Sequence, residues 1–210
     1  MTPPPRAAEE SASKSGRRAE LLALAASLFA ERGLRATTVR DIADSAGILS
    51  GSLYHHFDSK ESMVDEILKG FLDELFGRYR DIVAAGLGSR ATLEAMVVAS
   101  FEAIDGSHAA VAIYQDEAKH LVGNERFEYI TERNKEFRGL WVSVLEAGIE
   151  DGSFRPDIDV ELVYRFMRDT VWVPVRWYRP GGPMTAETVA KQYLAIVLDG
   201  LSSPQSRSDS

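Results

Sequence analysis

The 210-residue chain contains no cysteine, which removes disulfide frameworks, thiolate nucleophiles and cysteine metal sites from consideration. It has no run of eighteen apolar residues, so no segment reads as a transmembrane helix. Its opening residues, MTPPPRAAEESASKSG, lack the apolar stretch of a secretory signal, and a cytoplasmic location is the expectation. Alternating strand patterns, internal repeats, Gly-x-Ser-x-Gly elbows and phosphate loops are absent too. With no nucleophile–base arrangement, no catalytic residue is assigned and an enzyme is not expected. Positive charge is also scarce, at a net −8 and a pI of about 5.1. The deficit is uneven. Residues 1–62 hold eight Lys/Arg and eight Asp/Glu, so the whole excess of negative charge lies in residues 63–210. A neutral head on an acidic body can still meet phosphates, because the local field decides. Such a head should bind nucleic acid with strong salt sensitivity and little loose affinity.

What is present is concentrated between Thr38 and Glu61, TVRDIADSAGILSGSLYHHFDSKE. Thr38 can cap a short helix with Asp41 as its capping-box partner. Val39, Ile42 and Ala43 give that helix one apolar face, and Ala46-Gly47 ends it where a left-handed residue is needed. Ser50 is the expected cap of a second helix, with Leu53 and Phe57 inward and Ser52, Tyr54, His55 and His56 outward. Asp58 or Ser59 then caps a further helix with Glu61 in its first turn. Two short helices joined by a Gly-containing turn make a helix-turn-helix unit, which lays its second helix in a DNA major groove.

Along the rest of the chain, residues 1–16 and 202–210 read as polar, disordered tails. Leu21, Leu22, Leu24, Ala25, Leu28 and Phe29 form the inner face of a helix starting at Arg17, and residues 17–62 are assigned to the reading head. A long helix from near Ser59 toward Gly86 opens a second domain over 63–201. Helical patterns follow at about 90–104, 108–121, 124–150, 158–178 and 185–200, punctuated by glycines, Pro156 and GGP at 181–183. The fold class is therefore all-α, with about nine helices. In the last of them Val189, Tyr193, Ile196, Val197 and Leu201 suit an isologous interface with a second copy. Two heads about 34 Å apart would read a palindrome.

The residues Thr38, Ile42-Ala43, Ala46-Gly47, Gly51, Leu53-Tyr54, His56-Phe57 and Ser59-Lys60-Glu61 resemble the TetR family of bacterial transcriptional repressors. That resemblance implies a dimeric, ligand-responsive repressor of double-stranded operator DNA, whose last two helices form a four-helix dimer bundle. It also implies that Ser52 and Tyr54 meet bases. Thr38, Ser50, His55 and Lys60 are expected to hold phosphates, and Arg40 to reach phosphate or base. Arg6, Lys14, Arg17 and Arg18 could form a basic arm for the adjacent minor groove, or a tail that merely solubilises.

A second concentration of chemistry lies in VYRFMRDTVWVPVRWYRP. Arg168, Trp172 and Arg176 stand at i, i+4 and i+8, one face of a helix, with Arg165 and Arg179 nearby. Two accounts fit: pairing with Asp169, Asp159, Glu161 or a partner's acids, or binding phosphates and carboxylates of a ligand. Pro174 is unexpected inside this helix. It removes a donor and clashes with the carbonyl of Thr170. GLRATTVRDIADSAGILSGSLYHHF, IYQDEAK, RNKEFR, DGSFRPD and LVYRFMRDTVW through VRWYRPGGP resemble the branch of the TetR family that governs late, ring-degrading genes of bacterial cholesterol breakdown (the Kst type). This implies an effector that is a CoA thioester of a steroid-derived ring fragment, met by Arg168, Trp172 and Arg176. Sensing of another apolar or acyl ligand, or an acyl-CoA-binding protein or enzyme without a DNA role, are the alternatives. Asp116, Glu117 and His120, with His108, have helical spacing for a metal, but solvated or capping charges account for them better. No metal or cofactor is expected.

Overall fold

The computed structural model describes the backbone of residues 5–121 and 123–199, and side chains within that range from Ser15 to Leu198. The expectations for residues 1–4, for Leu201 and for the polar C-terminal tail fall outside the described residues. Among those described there are nine α-helices and no strand. They are α1 (Pro5–Arg32), α2 (Val39–Ser45), α3 (Ser50–Leu53), α4 (Lys60–Ala84), α5 (Ser89–Gly106), α6 (His108–Leu121), α7 (Tyr129–Glu150), α8 (Val160–Trp172) and α9 (Ala186–Leu194). No single one is long and apolar enough to cross a membrane.

Helix α1 starts at Pro5, not at Arg17, so residues 5–16 are helical and not the disordered tail that their composition predicts. A proline at the first helical position has its φ already set and gives up only an N–H that would be unpaired there. The residues after it, RAAEESASK, include good helix formers. The α1–α2 turn is set by Gly33 at φ +83 and by the buried Thr37, whose hydroxyl donates to the Gly33 carbonyl at 2.8 Å.

Two hydrophobic cores organise the molecule. The first joins Leu21, Ala25, Leu28 and Phe29 of α1 to Ile42, Leu53, Phe57 and to Met63, Val64 and Leu68 of α4. It does not stop at the head, because Ile113 and Leu121 of α6, together with Phe127 and Ile130, belong to it. The second core is rich in aromatic rings: Phe137 stacks on Trp141 at 5.4 Å between centroids, and Trp172 meets Phe71 edge-on at 6.4 Å. Burial of each such side chain contributes about 1.5–3 kcal/mol. Ile67, Tyr114 and Tyr129 touch both cores, which places the joint on α4, α6 and the start of α7.

Helix α8 does not run to residue 178. It ends at Trp172, and Val173–Arg176 form a 3₁₀ turn holding Pro174, with the Trp177 and Tyr178 N–H groups donating to the Pro174 carbonyl. Proline cannot supply the N–H that α-helix continuation requires, so the chain tightens instead. At the other end of the body, α9 packs along α5, with Tyr193 against Phe101 at 5.6 Å.

Candidate DNA-reading head and effector segment

Helix α2 begins as its residues dictate. The Thr38 hydroxyl accepts from the Asp41 N–H at 3.1 Å, and Asp41 Oδ2 accepts from the Thr38 N–H at 2.8 Å. The Thr38 hydroxyl also donates to Asp41 Oδ2, and that bond first, with the Thr38 N–H after it, holds the Asp41 carboxyl below the usual carboxylate range. Thr38 is exposed, as is Arg40, whose guanidinium lies 3.7 Å from Asp44. The Ile48 N–H returns to the Ala43 carbonyl at 3.0 Å, which makes the tight turn into α3.

Ser50 does not cap α3. Leu49 occupies the cap position in extended backbone with no side-chain bond, and Ser50 is the first helical residue. The turn returns to the helix one residue earlier than a Ser50 cap requires. Helix α3 is a single turn, followed by a further turn in which the Phe57 N–H bonds the Leu53 carbonyl. Leu53 and Phe57 are buried, while Tyr54 is 56% exposed and His55 is exposed. Ser50 and Ser52 are half-buried on the same short element.

Three cations expected to serve DNA are engaged within the chain. Lys60 donates to the carbonyls of Leu34 at 2.7 Å and Thr37 at 3.2 Å, so it ties the start of α4 to the α1–α2 turn. Arg17 donates to the Ala46 carbonyl at 3.1 Å, bracing the helix-turn-helix. Arg18 lies 4.4 Å over the Phe57 ring and pairs with Glu66 of α4. Arg17 and Arg18 therefore sit inside α1 as buttresses, not on an arm ahead of it. The side chains of Arg6 and Lys14 lie outside the described ones. Sequence spacing gives no sign of these contacts, which join residues 23 to 48 apart.

The effector segment departs from one continuous stripe. Arg168 is hydrogen-bonded to Asp169 at 2.7 Å, which raises its already high pKa, and lies 5.7 Å over the Tyr164 ring. Arg165 pairs with Glu161 at 3.3 Å. Trp172 is only 6% exposed and belongs to the aromatic core, so it is not a solvent-facing platform between the two arginines. Arg176 lies beyond the helix end, 71% exposed at its side chain, 3.8 Å from Asp116 of α6. The 3₁₀ turn advances each residue by a different angle from an α-helix, so the i, i+8 relation of Arg168 and Arg176 does not survive. Trp177, half exposed, is the indole that meets solvent next to Arg176.

Helix α6 links this segment to the head. Next to Asp116, the Glu117 carboxylate accepts the Leu34 N–H at 3.0 Å, the same turn that Lys60 grips from the other side. Local spacing offers Glu117 as a metal ligand or as a solvated or capping charge, with no partner named. Its real partner is a backbone donor 83 residues away, for which no local pattern exists. At the joint, Asp65 of α4 pairs with Lys69 at 2.9 Å and stands 3.9 Å from Arg126. Burial pushes the Tyr114 hydroxyl up to about 12, which keeps it a protonated donor to Asn134 at 2.6 Å.

An outward-facing helix-turn-helix packed on an all-helical body is therefore on hand. The family described as bacterial regulatory proteins, tetR family, matches residues 21–67, and the tetracyclin repressor-like C-terminal domain family matches residues 86–201. The chain belongs to the TetR family. It is 76% identical over 204 residues to the HTH-type transcriptional repressor KstR2 of Rhodococcus jostii (strain RHA1), covering 97% of this chain and 99% of that one. A solved structure of the ketosteroid transcriptional regulator KstR2 of Mycobacterium tuberculosis is 67% identical, with a TM-score of 0.86 over 89% of this chain and 95% of that one. The same TetR fold is found in AibR, solved in complex with isovaleryl coenzyme A and operator DNA, at 23% identity and a TM-score of 0.76 over 87% of this chain and 98% of that one. This TetR protein is accordingly a DNA-binding transcriptional repressor of the KstR2 type, and not an enzyme.

Proposed function

We propose that the repressor acts in the cytoplasm as a homodimer on a palindromic operator, and is released by a CoA thioester of a steroid-derived ring fragment. The genes it controls are then those of steroid catabolism. The observation that carries this reading is the set of accessible guanidinium groups on α8 and the following 3₁₀ turn. Arg165, Arg168 and Arg176 have side-chain exposures of 63%, 46% and 71%, and their partners are themselves exposed carboxylates. Exposed ion pairs of this sort are worth about 0–1 kcal/mol. A phosphate-bearing ligand can replace them at little cost and gain charge-assisted, bidentate contacts. The ketosteroid role of the Mycobacterium tuberculosis relative favours a steroid-derived acyl group, and AibR, of the same fold, was solved with a CoA thioester and operator DNA together.

Exchange at Arg176 would free Asp116 on α6, the helix that also holds the head through Glu117. An acyl group inserting near Trp172 would have to displace aromatic rings already packed together. Both displacements fall on elements that position the head, which is how ligand occupancy would change head separation. Dimerisation is supported by apolar side chains left in water on α8 and on the π-helical turn Ala195–Asp199 that follows α9, among them Phe166 at 64% and Ile196 at 56% exposure.

A mobility-shift assay on the protein's own upstream DNA, with and without a panel of CoA thioesters, tests the reading. Release is expected with ring-fragment thioesters and not with the free acids or with CoA alone. Arg168→Ala and Arg176→Ala should each bind operator normally but need about ten- to a hundredfold more inducer, reflecting about 1.5–3 kcal/mol per charge-assisted contact. Parent-like induction of both variants would mark the arginines as structural and remove the CoA assignment.

A further inference from the structure

Leu49 is the most exposed large apolar side chain among the described residues, at 80%. It joins neither hydrophobic core, and as the residue preceding α3 it caps nothing with its side chain. A single exposed leucine on an arbitrary surface needs no account. This one stands at the entrance to the reading helix, beside a second residue with no internal role. Gly51 is exposed, is not among the glycines with positive φ, and a Cβ built on it meets nothing within 4 Å. Within a helix glycine is less favourable than alanine, and neither turn geometry nor packing requires it at this position. Together with Ser52 and Tyr54, the surface of α3 thus carries one protruding apolar group and one patch of bare backbone.

We propose that Leu49 is a specificity-determining residue that packs on the C5-methyl of a thymine in the operator's major groove, while Gly51 lets the base edge approach the backbone. This rests on α3 being the groove-facing helix. Phosphates and the N7, O6, O4, N6 and N4 groups of the bases all call for a polar partner, which leucine cannot supply. The thymine methyl is the one apolar group on a major-groove edge. Leu49 therefore selects a T·A pair at one position in each half-site.

Selection of duplexes from a random pool by the full-length protein supplies an operator sequence. Thymines in the enriched duplex are then replaced one at a time by deoxyuridine, which deletes only the methyl group. In the parent, one replacement per half-site should weaken binding about three- to tenfold, the scale of one buried methyl. Leu49→Ala should lose a similar factor and become indifferent to that same replacement, with an unchanged melting temperature because the side chain lies in water. Gly51→Ala should weaken operator binding while melting no lower than the parent. Leu49→Ala binding like the parent, or losing affinity while every deoxyuridine penalty persists, overturns the proposal. A parent protein that enriches no sequence at all overturns the groove-facing role of α3 and Leu49 with it.

Discussion

Tyr54 is the residue on which DNA reading should depend most visibly. It is exposed between two buried neighbours, Leu53 and Phe57, so its ring can be removed without touching the head's core. Tyr54→Ala is expected to weaken operator binding about ten- to a hundredfold, in line with the roughly 1–3 kcal/mol of a good base contact. Melting temperature and inducer affinity should stay at the parent's values; unchanged operator affinity in the folded variant would remove Tyr54 from the interface. Legibility at this scale follows how local the determinant is. The inward set of Leu53 and Phe57 and the Thr38–Asp41 capping box depend on spacings of three or four residues, and both are present as expected. Lys60 is expected at phosphate because helix starts favour anions, and Arg17 and Arg18 are offered as part of a basic arm, or of a solubilising tail, because the apolar stripe places them ahead of the first helix. Their long stems instead reach carbonyls and a ring brought close only by tertiary folding.

At the scale of elements, the helices are legible wherever an apolar stripe ends at a glycine or a cap, as for α4 to α6 and the end of α7, whose start falls at Tyr129 and not near 124 because Glu125–Phe127 form a separate 3₁₀ turn. The end of α8 is less so. Val175 and Tyr178 are buried beyond the break, so the apolar pattern continues although the backbone changes from α to 3₁₀. Only Pro174 marks the change. The assignment of α6 to the head's core is not visible at all, because Ile113 and Leu121 look like ordinary body residues in sequence. Its polar tie is testable through Glu117. Glu117→Ala leaves the part-buried Leu34 N–H without its acceptor and should cost about 1–3 kcal/mol of stability. Glu117→Gln keeps an acceptor oxygen and should melt close to the parent. If α6 transmits the effector signal, Glu117→Ala will also bind thioester normally yet respond poorly on operator. Thermal melting together with induction curves separates the two effects, and an alanine variant that matches the parent in both would exclude α6 as the link.

For the whole molecule, the acidic body and neutral head make the two binding events electrostatically different. The head meets operator phosphates without a general positive field, whereas the proposed CoA thioester would have its phosphates met by a small number of arginines inside a negative domain. Two ligands that bind at distinct places on one chain are coupled allosterically when they favour its states unequally. In the proposed mechanism the operator and the CoA thioester favour different states of the repressor. The most direct measurement is the thioester's Kd for the free repressor and for the repressor saturated with operator DNA, paired with the operator Kd with and without saturating thioester. DNA should weaken thioester binding by the same factor as thioester weakens DNA binding, on the order of 5–150-fold. A thioester that binds the free and DNA-bound repressor with equal affinity would contradict it.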